Sequence, residues 1–307
     1  MTIDSPPHQR PRLSVIVPSF NSGSYIGDAI TSVLTQSGPS IEILVQDGGS
    51  TDQTQAVVQR LDDTRVTFHQ EPDGGQADAL NRALQNARGE WVLWLNADDL
   101  VAPGALTIIE TFLDGDWDIV YGAFALADRA GHPVKYYFPA PLSRERLLRF
   151  GTYIFSGAMV VRAETLTKLG GFNGRLHYCM DFELLLRLAP VARATQTEQV
   201  LAYLREQPES KTSTRPWRMY REHWMVARRY GAFAKGRVIS FTGLAVLSAA
   251  YVATRRIWQS GAWRRVRPTK RRGGSGPVTA IRRARMFSEF GGDSPDYPID
   301  GWPEPSR

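Results

Sequence analysis

One cysteine, Cys179, is all that the chain of 307 residues carries. An internal disulfide and a zinc site built from several thiolates are thereby excluded. Residues 1–12 are polar and proline-bearing, with no apolar run. They do not read as a signal peptide, and a reducing, cytoplasmic compartment is expected. Long apolar runs are scarce as well. Residues 238–254 come nearest, with 17 uncharged residues, but they include Ser240, Thr242, Gly243 and Ser248. A membrane-spanning helix needs about 20 predominantly apolar residues. No Gly-x-Gly-x-x-Gly follows the first apolar run and no Walker A lysine is present, which argues against a dinucleotide dehydrogenase and a P-loop enzyme. Acidic residues are missing from 223–288, where fifteen Lys or Arg fall, although the whole chain has 37 basic against 31 acidic residues. The rest of the chain is therefore acidic, and an acidic body and a basic tail point to different partners.

What is present begins with alternating strand and helix patterns. Residues 13–18 read as a buried strand ended by Pro18, which has no N–H to give a ladder. Ile26, Ala29, Ile30, Val33 and Leu34 recur at helical spacing. Residues 41–46 are a second strand, and after it Ser50 and Gln53 have capping-box spacing for a helix. Residues 66–69 are a short third strand. Ala77, Leu80, Ala83, Leu84 and Ala87 then share one helix face, stopped by Gly89. Residues 91–95, Trp-Val-Leu-Trp-Leu, form an unbroken apolar run, as in a strand buried on both faces. Such alternation gives an α/β protein with a mainly parallel twisted sheet and helices on both faces. Later come a helix over 105–113 and a hairpin of 119–124 and 134–137 around Asp128-Arg129-Ala130-Gly131. A strand over 154–161, a helix over 178–188 and a last strand over 199–205 complete the pattern.

Three carboxylates, Asp47, Asp73 and Asp98, fall at strand ends or in the loops that follow. Ligand sites of open α/β sheets lie outside the carboxyl ends of the strands. The turn Asn96-Ala97-Asp98-Asp99 offers two or three oxygen ligands of a kind that suits Mg²⁺ or Mn²⁺. The same turn also reads as a polar cap for the next helix, and these residues alone leave both readings open. Asp181 stands equally open as a charge at a helix N-terminus.

Five segments resemble a known family. Ser14-Val15-Ile16-Val17-Pro18-Ser19-Phe20-Asn21, Gln46-Asp47-Gly48-Gly49-Ser50-Thr51-Asp52, Glu71-Pro72-Asp73-Gly74-Gly75, Leu95-Asn96-Ala97-Asp98-Asp99 and Met180-Asp181 have the order and spacing of family 2 glycosyltransferases. These are inverting enzymes with the GT-A fold, and the resemblance covers about residues 12–212. It implies transfer of a sugar from a nucleotide-diphospho-sugar, a UDP-sugar foremost, to a glycan or lipid-linked saccharide. Under it Pro18, Ser19, Phe20 and Asp47 would hold the base and ribose, with Gly75, Asn96 and Ala97 completing the donor site. Asp98 would be the metal-binding carboxylate for Mg²⁺ or Mn²⁺, and Asp181 the general base toward the acceptor hydroxyl. Two positions depart from the family pattern: Asn96 replaces an aspartate, and Gln207 stands near a position where many relatives have histidine. The missing charge at Asn96 keeps a rival open, a non-catalytic sugar-nucleotide-binding protein or membrane-associated scaffold. Lys211 reads as a diphosphate contact or a solvated loop lysine, and His177 and Cys179 as packing or acceptor-pocket residues.

The domain plan that follows is a flexible N-terminus (1–12), a GT-A domain (13–215), a basic amphipathic helical extension (216–270) and a flexible tail (271–307). The extension, with Trp258 and Trp263 among its arginines, suits an anionic membrane surface. That places the protein at the inner face of the cell membrane, peripherally. Nucleic acid is not expected as a partner, since no aromatic-interleaved RNA motif or zinc ligand set accompanies the arginines.

Overall fold

Strand β1 (Leu13–Ser19) explains its own composition. Leu13, Val15 and Val17 pack into one layer and Ile16 into the other, all fully buried. A strand covered on both faces carries no polar stripe. In β4 (Trp91–Trp94), Trp91 and Leu93 join the first layer while Val92 and Trp94 join the second. Each side chain of this size contributes about 1.5–3 kcal/mol by leaving water. Helices α1 (Ile26–Leu34) and α4 (Ala105–Leu113) cover the first face. Helices α3 (Gln76–Asn86), α5 (Arg144–Phe150) and α7 (Met180–Leu188) cover the second.

The computed structural model describes residues 10–207 and 216–232. Its other strands are β2 (Ile41–Asp47), β3 (Val66–Gln70), β5 (Leu100–Val101), β6 (Ile119–Ala127), β7 (Pro133–Tyr137), β8 (Met159–Arg162) and β9 (Ala194–Arg205). The sheet order is β3-β2-β1-β4-β8-β6-β9-β5, with β7 on β6. The strands β3, β2, β1 and β4 run parallel, so their carboxyl ends and following loops share one edge. Beyond β4 the sheet is mixed: β8 is antiparallel to β4 and β6, β6 and β9 are parallel, β5 is antiparallel to β9, and β7 is antiparallel to β6. This is an α/β fold with helices on both faces, as expected.

Several local expectations change. Ser50 does not cap α2 (Thr54–Arg60): its hydroxyl is bound to Asp47, and Asp52 Oδ1 accepts from the Thr54 N–H instead, at 3.0 Å. Helix α3 ends before Gly89, whose N–H donates to Ser14 Oγ. The strand expected over 154–161 is β8 alone, because Ser156-Gly157-Ala158 form a 3₁₀ turn that breaks the run. Strand β9 starts five residues early, since its polar first part pairs with β6 while half exposed. Helices α5 and α6 (Ala163–Lys168) and the short β5 were not foreseen.

Helix α8 (Pro216–Arg229) begins where the sequence sets a boundary after residue 215, and it packs on the second layer. Val226 and Ala227 are buried, and the His223 ring lies 4.1 Å from that of Phe182 between centroids. All the described residues fall within one compact unit. None of their helices is long and apolar enough to cross a membrane. Residues 1–9, Lys211 and the uncharged run at 238–254 lie outside the described residues.

Candidate active site

The loop after β2 is closed by the carboxylate that ends the strand. Asp47 is fully buried; Oδ1 accepts from the N–H groups of Gly49 (3.1 Å) and Ser50 (2.7 Å) and from Gln70 Nε2 (3.1 Å), and Oδ2 from Ser50 Oγ (2.6 Å). Next to it, Gly48 N–H donates to Ser19 O at 2.9 Å, stitching β1 to the loop. Gly48 also makes room for a second carboxylate: a Cβ there would sit 2.7 Å from Asp73 Oδ2. Ser19 is 5% exposed and its hydroxyl has no partner among the described residues, whereas the Phe20 ring is 64% exposed. An unpaired hydroxyl beside an open aromatic ring suits a ligand with a polar edge and a flat face.

The turn after β4 sorts its three polar residues into different tasks. Asn96 Oδ1 accepts from Trp94 Nε1 and Gln76 Nε2, both at 2.8 Å, and its Nδ2 donates to Asp99 Oδ2 at 2.7 Å. The indole N–H can only donate, which fixes the orientation of the amide. Asp99 is buried; its Oδ1 accepts from Arg205 N–H at 3.0 Å, and burial beside Asp98 pushes its carboxyl well above the usual range. Asp98 is half-buried, and burial raises its carboxyl too, against the pull of Arg205. Its Oδ2 accepts from Gln207 Nε2 at 3.1 Å, and Oδ1 has no partner among the described residues. Those residues contain no group of three or more His, Cys, Asp or Glu set to hold a metal. Magnesium-type sites that use one or two carboxylates together with substrate phosphates need no such cage, and Asp98 fits that mode.

Asp181 lies in the first turn of α7 and is half-buried. Oδ1 accepts from the Phe182 N–H at 2.7 Å; Oδ2 has no partner among the described residues. Burial pushes the carboxyl up to about 6, the Phe182 bond opposes this, and the charge of Glu222 adds to the rise. The preceding loop reaches the loop after β3: Gly75, at φ +116°, would place a Cβ 3.2 Å from His177 Nδ1. Asn81 Nδ2, from α3, donates to Phe172 O at 2.8 Å and holds the same segment down. Cys179 is buried with its thiol pushed up and donates to Met219 O, so it is packing rather than chemistry.

Known proteins resemble this chain in sequence and in fold. A family model described as "Glycosyl transferase family 2" matches residues 14–163. A glycosyltransferase of Rickettsia typhi, itself uncharacterized, is 30% identical over 215 residues, covering 66% of this chain and 67% of that one. The chain belongs to glycosyltransferase family 2. An uncharacterized Rickettsia felis glycosyltransferase is 32% identical over 197 residues, 59% of this chain. Chondroitin synthase of Pasteurella multocida is 30% identical over 195 residues, 62% of this chain. The chain spans only 32% and 20% of those two proteins' lengths. Among solved structures, Staphylococcus aureus TarS in complex with UDP-GlcNAc superposes with TM-score 0.58 at 22% identity, over 75% of this chain and 69% of that one. The mannosyltransferase PcManGT of Pyrobaculum calidifontis, in complex with GDP-Man and Mn²⁺, gives 0.53 at 22%, over 92% and 83%. These likenesses bear on the fold.

In this family 2 glycosyltransferase the expected donor-side residues Pro18, Ser19, Phe20, Asp47, Gly75, Asn96, Ala97 and Asp98 all lie at the carboxyl edge of the parallel strands or in the loops after them. Asp181 makes no hydrogen bond to any of them among the described residues; Gly75 and His177 link the two sides. Three residues went unnoticed in the sequence. Gln76 fixes Asn96, Arg205 supports Asp99 and pairs with Asp28, and Glu222 holds the loop before α7. Gln76 and Arg205 carry no local signal; Glu222 is the last acidic residue before the acid-free stretch.

Proposed function

We propose that the chain transfers a sugar, with inversion, from a nucleotide-diphospho-sugar to a glycan or lipid-linked saccharide, with Asp181 as the base. The observation that carries this reading is Asp181 itself: a half-buried carboxylate near 6, with one oxygen unbonded among the described residues, in the first turn of α7, just after the loop whose His177 lies against Gly75. At neutral pH it is ionised yet basic enough to take a proton. The acceptor hydroxyl gives that proton to Asp181 while its oxygen bonds the anomeric carbon. The bond from that carbon to the diphosphate breaks on the opposite face, and the nucleoside diphosphate leaves with the electron pair. Phe20 offers its ring to the base and Ser19 its hydroxyl to the ribose, with Pro18 ending the strand beneath. Asp47 acts through the loop that it closes, and Gly75 and Ala97 let the backbone come close to the donor. A divalent metal, Mg²⁺ or Mn²⁺, held by Asp98 and the diphosphate, would offset charge on the leaving group. The identity of one relative as a chondroitin synthase, and the UDP-GlcNAc and GDP-Man complexes of the structural neighbours, support a nucleotide-sugar donor. UDP is the nucleotide we favour.

A thermal-shift screen of UDP-, GDP- and dTDP-sugars with and without Mn²⁺ tests the donor side. One donor should raise Tm with the metal, and Asp98→Ala should weaken that donor by about 10- to 100-fold, the worth of one charge-assisted contact. Equal binding by Asp98→Ala would remove Asp98 from the metal site. Binding without any turnover would favour the sugar-nucleotide-binding protein that Asn96 keeps in view.

The partner surface follows from α8. Trp217 is 73% exposed, and Trp224 and Met225 are exposed beside Arg218, Arg221 and Arg228. Such a face suits the headgroup region of an anionic membrane, which would put the protein at the inner face of the cell membrane. Co-sedimentation with anionic liposomes should fall steeply with salt; no binding at low salt would sink the membrane reading.

A further inference from the structure

Helix α8 reaches the catalytic side through one side chain. Glu222 Oε1 accepts from the N–H groups of Tyr178 (2.6 Å) and Cys179 (2.8 Å), and Oε2 from that of His177 at 2.9 Å. Three consecutive backbone donors thus converge on a single carboxylate from a helix 43–45 residues further along the chain. Cys179 is the N-cap of α7 and makes no side-chain capping bond of its own, so α7 begins without the local Ser, Thr, Asp or Asn that helices usually use there. The donors of that entry segment would otherwise be left to water or unpaired. The same helix is clamped to α7 by His223 on Phe182 and by Tyr230, just past its end, whose hydroxyl donates to Glu183 Oε1 at 2.6 Å. Glu183 is thereby occupied, by Tyr230 from beyond α8 and by Arg187 one turn along α7.

We propose that Glu222 is a positioning residue for sugar transfer: it fixes the backbone of residues 177–179 and so sets where Asp181 meets the acceptor. This rests on the reading of Asp181 as the base. Carboxylate-to-amide bonds are among the stronger hydrogen bonds, and three on successive residues leave the segment little freedom. A base displaced by about 1 Å can lose on the order of 10²-fold in rate. Glu222 also supplies the negative charge that bears on Asp181, with the buried, neutral Cys179 thiol as the other titratable group beside it.

The test compares Glu222→Ala and Glu222→Gln with Val226→Ala, which loosens the same helix at a buried position away from the loop. Glu222→Ala should lower kcat about 10- to 100-fold with the donor KM unchanged, and amide exchange at 177–179 should speed up. Val226→Ala should lower Tm and leave kcat in place. Glu222→Gln keeps accepting oxygen but loses the charge, so it should recover part of kcat and move the acid limb of the pH–rate profile to lower pH. If Glu222→Ala loses rate only as Val226→Ala does, or if the acid limb stays put in Glu222→Gln, Glu222 is a structural cap and the proposal falls. An inactive Asp181→Asn beside a fully active Glu222→Ala overturns this proposal alone. A fully active Asp181→Asn overturns the base reading and this proposal with it.

Discussion

Asp47 and Asp181 each stand where a regular element meets the catalytic edge, and they are held in opposite ways. Asp47 is fully buried with four hydrogen bonds from its own loop and from Gln70. Asp181 is half-buried, has one bond to Phe182 N–H, and is raised to about 6 by burial. The stabilising bonds of the Asp181 segment are instead made to its backbone, by Glu222. A carboxylate held by four hydrogen bonds shapes a loop; one with a single such bond from its neighbour and a raised pKa is available for chemistry. The loop at the end of β2 is thus prearranged by its own strand and its neighbour, while the segment before Asp181 depends on a helix contributed from much later in the chain.

Asp181→Asn gives the largest expected effect. The amide is nearly isosteric, and its oxygen can still accept from Phe182, so Tm should hold and donor binding should persist. Transfer should fall by about 10²- to 10⁴-fold, the usual worth of a general base. Near-normal transfer would leave Asp181 as a helix-terminal charge and erase the contrast with Asp47. A milder test uses the wild-type protein. Because the carboxyl is raised, it is protonated and inactive as a base at pH below its value. The donor-saturated rate should therefore be level above neutrality and drop about tenfold per pH unit below about 6. A rate that stays level down to pH 4.5 would contradict the raised carboxyl.

The two sides also differ in how far the sequence reveals them. The carboxyl edge of the parallel strands was readable because it is local: mainly apolar runs mark β1, β2 and β4, and polar residues end or follow each of them. The boundary errors have local causes too, such as the 3₁₀ turn at Ser156–Ala158 that interrupts an apolar run without altering its hydrophobicity. The task of Asn96 was not readable. Its amide is bound by Trp94, two residues away, but also by Gln76, which only the packing of α3 brings there. Glu222 was hidden for a stronger reason. Charge patterning groups α8 with the basic tail, whereas the buried Val226 and Ala227 and the bonds of Glu222 make it part of the core. Net charge reports solubility and partners rather than fold.

The smallest effect on rate is expected from Asp47→Asn, and it decides what Asp47 does. An asparagine there can keep its carbonyl toward the N–H groups of Gly49 and Ser50 and toward Gln70, since the reverse orientation would set an NH₂ against three donors. Its NH₂ must then face Ser50 Oγ, which already accepts from Asn21 N–H at 2.7 Å. The Ser50 hydroxyl loses its acceptor, and one half-buried donor goes unpaired at a cost of at most about 1–3 kcal/mol. For a domain of this size that is a fall in Tm of roughly 2–12 °C. The loop would still close, so kcat should stay within about a factor of two to three, with at most a modest rise in donor KM. This is the mirror image of Asp181→Asn: stability lost and rate kept, against rate lost and stability kept. The opposite result, an unchanged Tm with donor binding abolished, would mean that Asp47 touches the nucleotide directly, as the family resemblance implies, and that its loop bonds rearrange when the donor arrives.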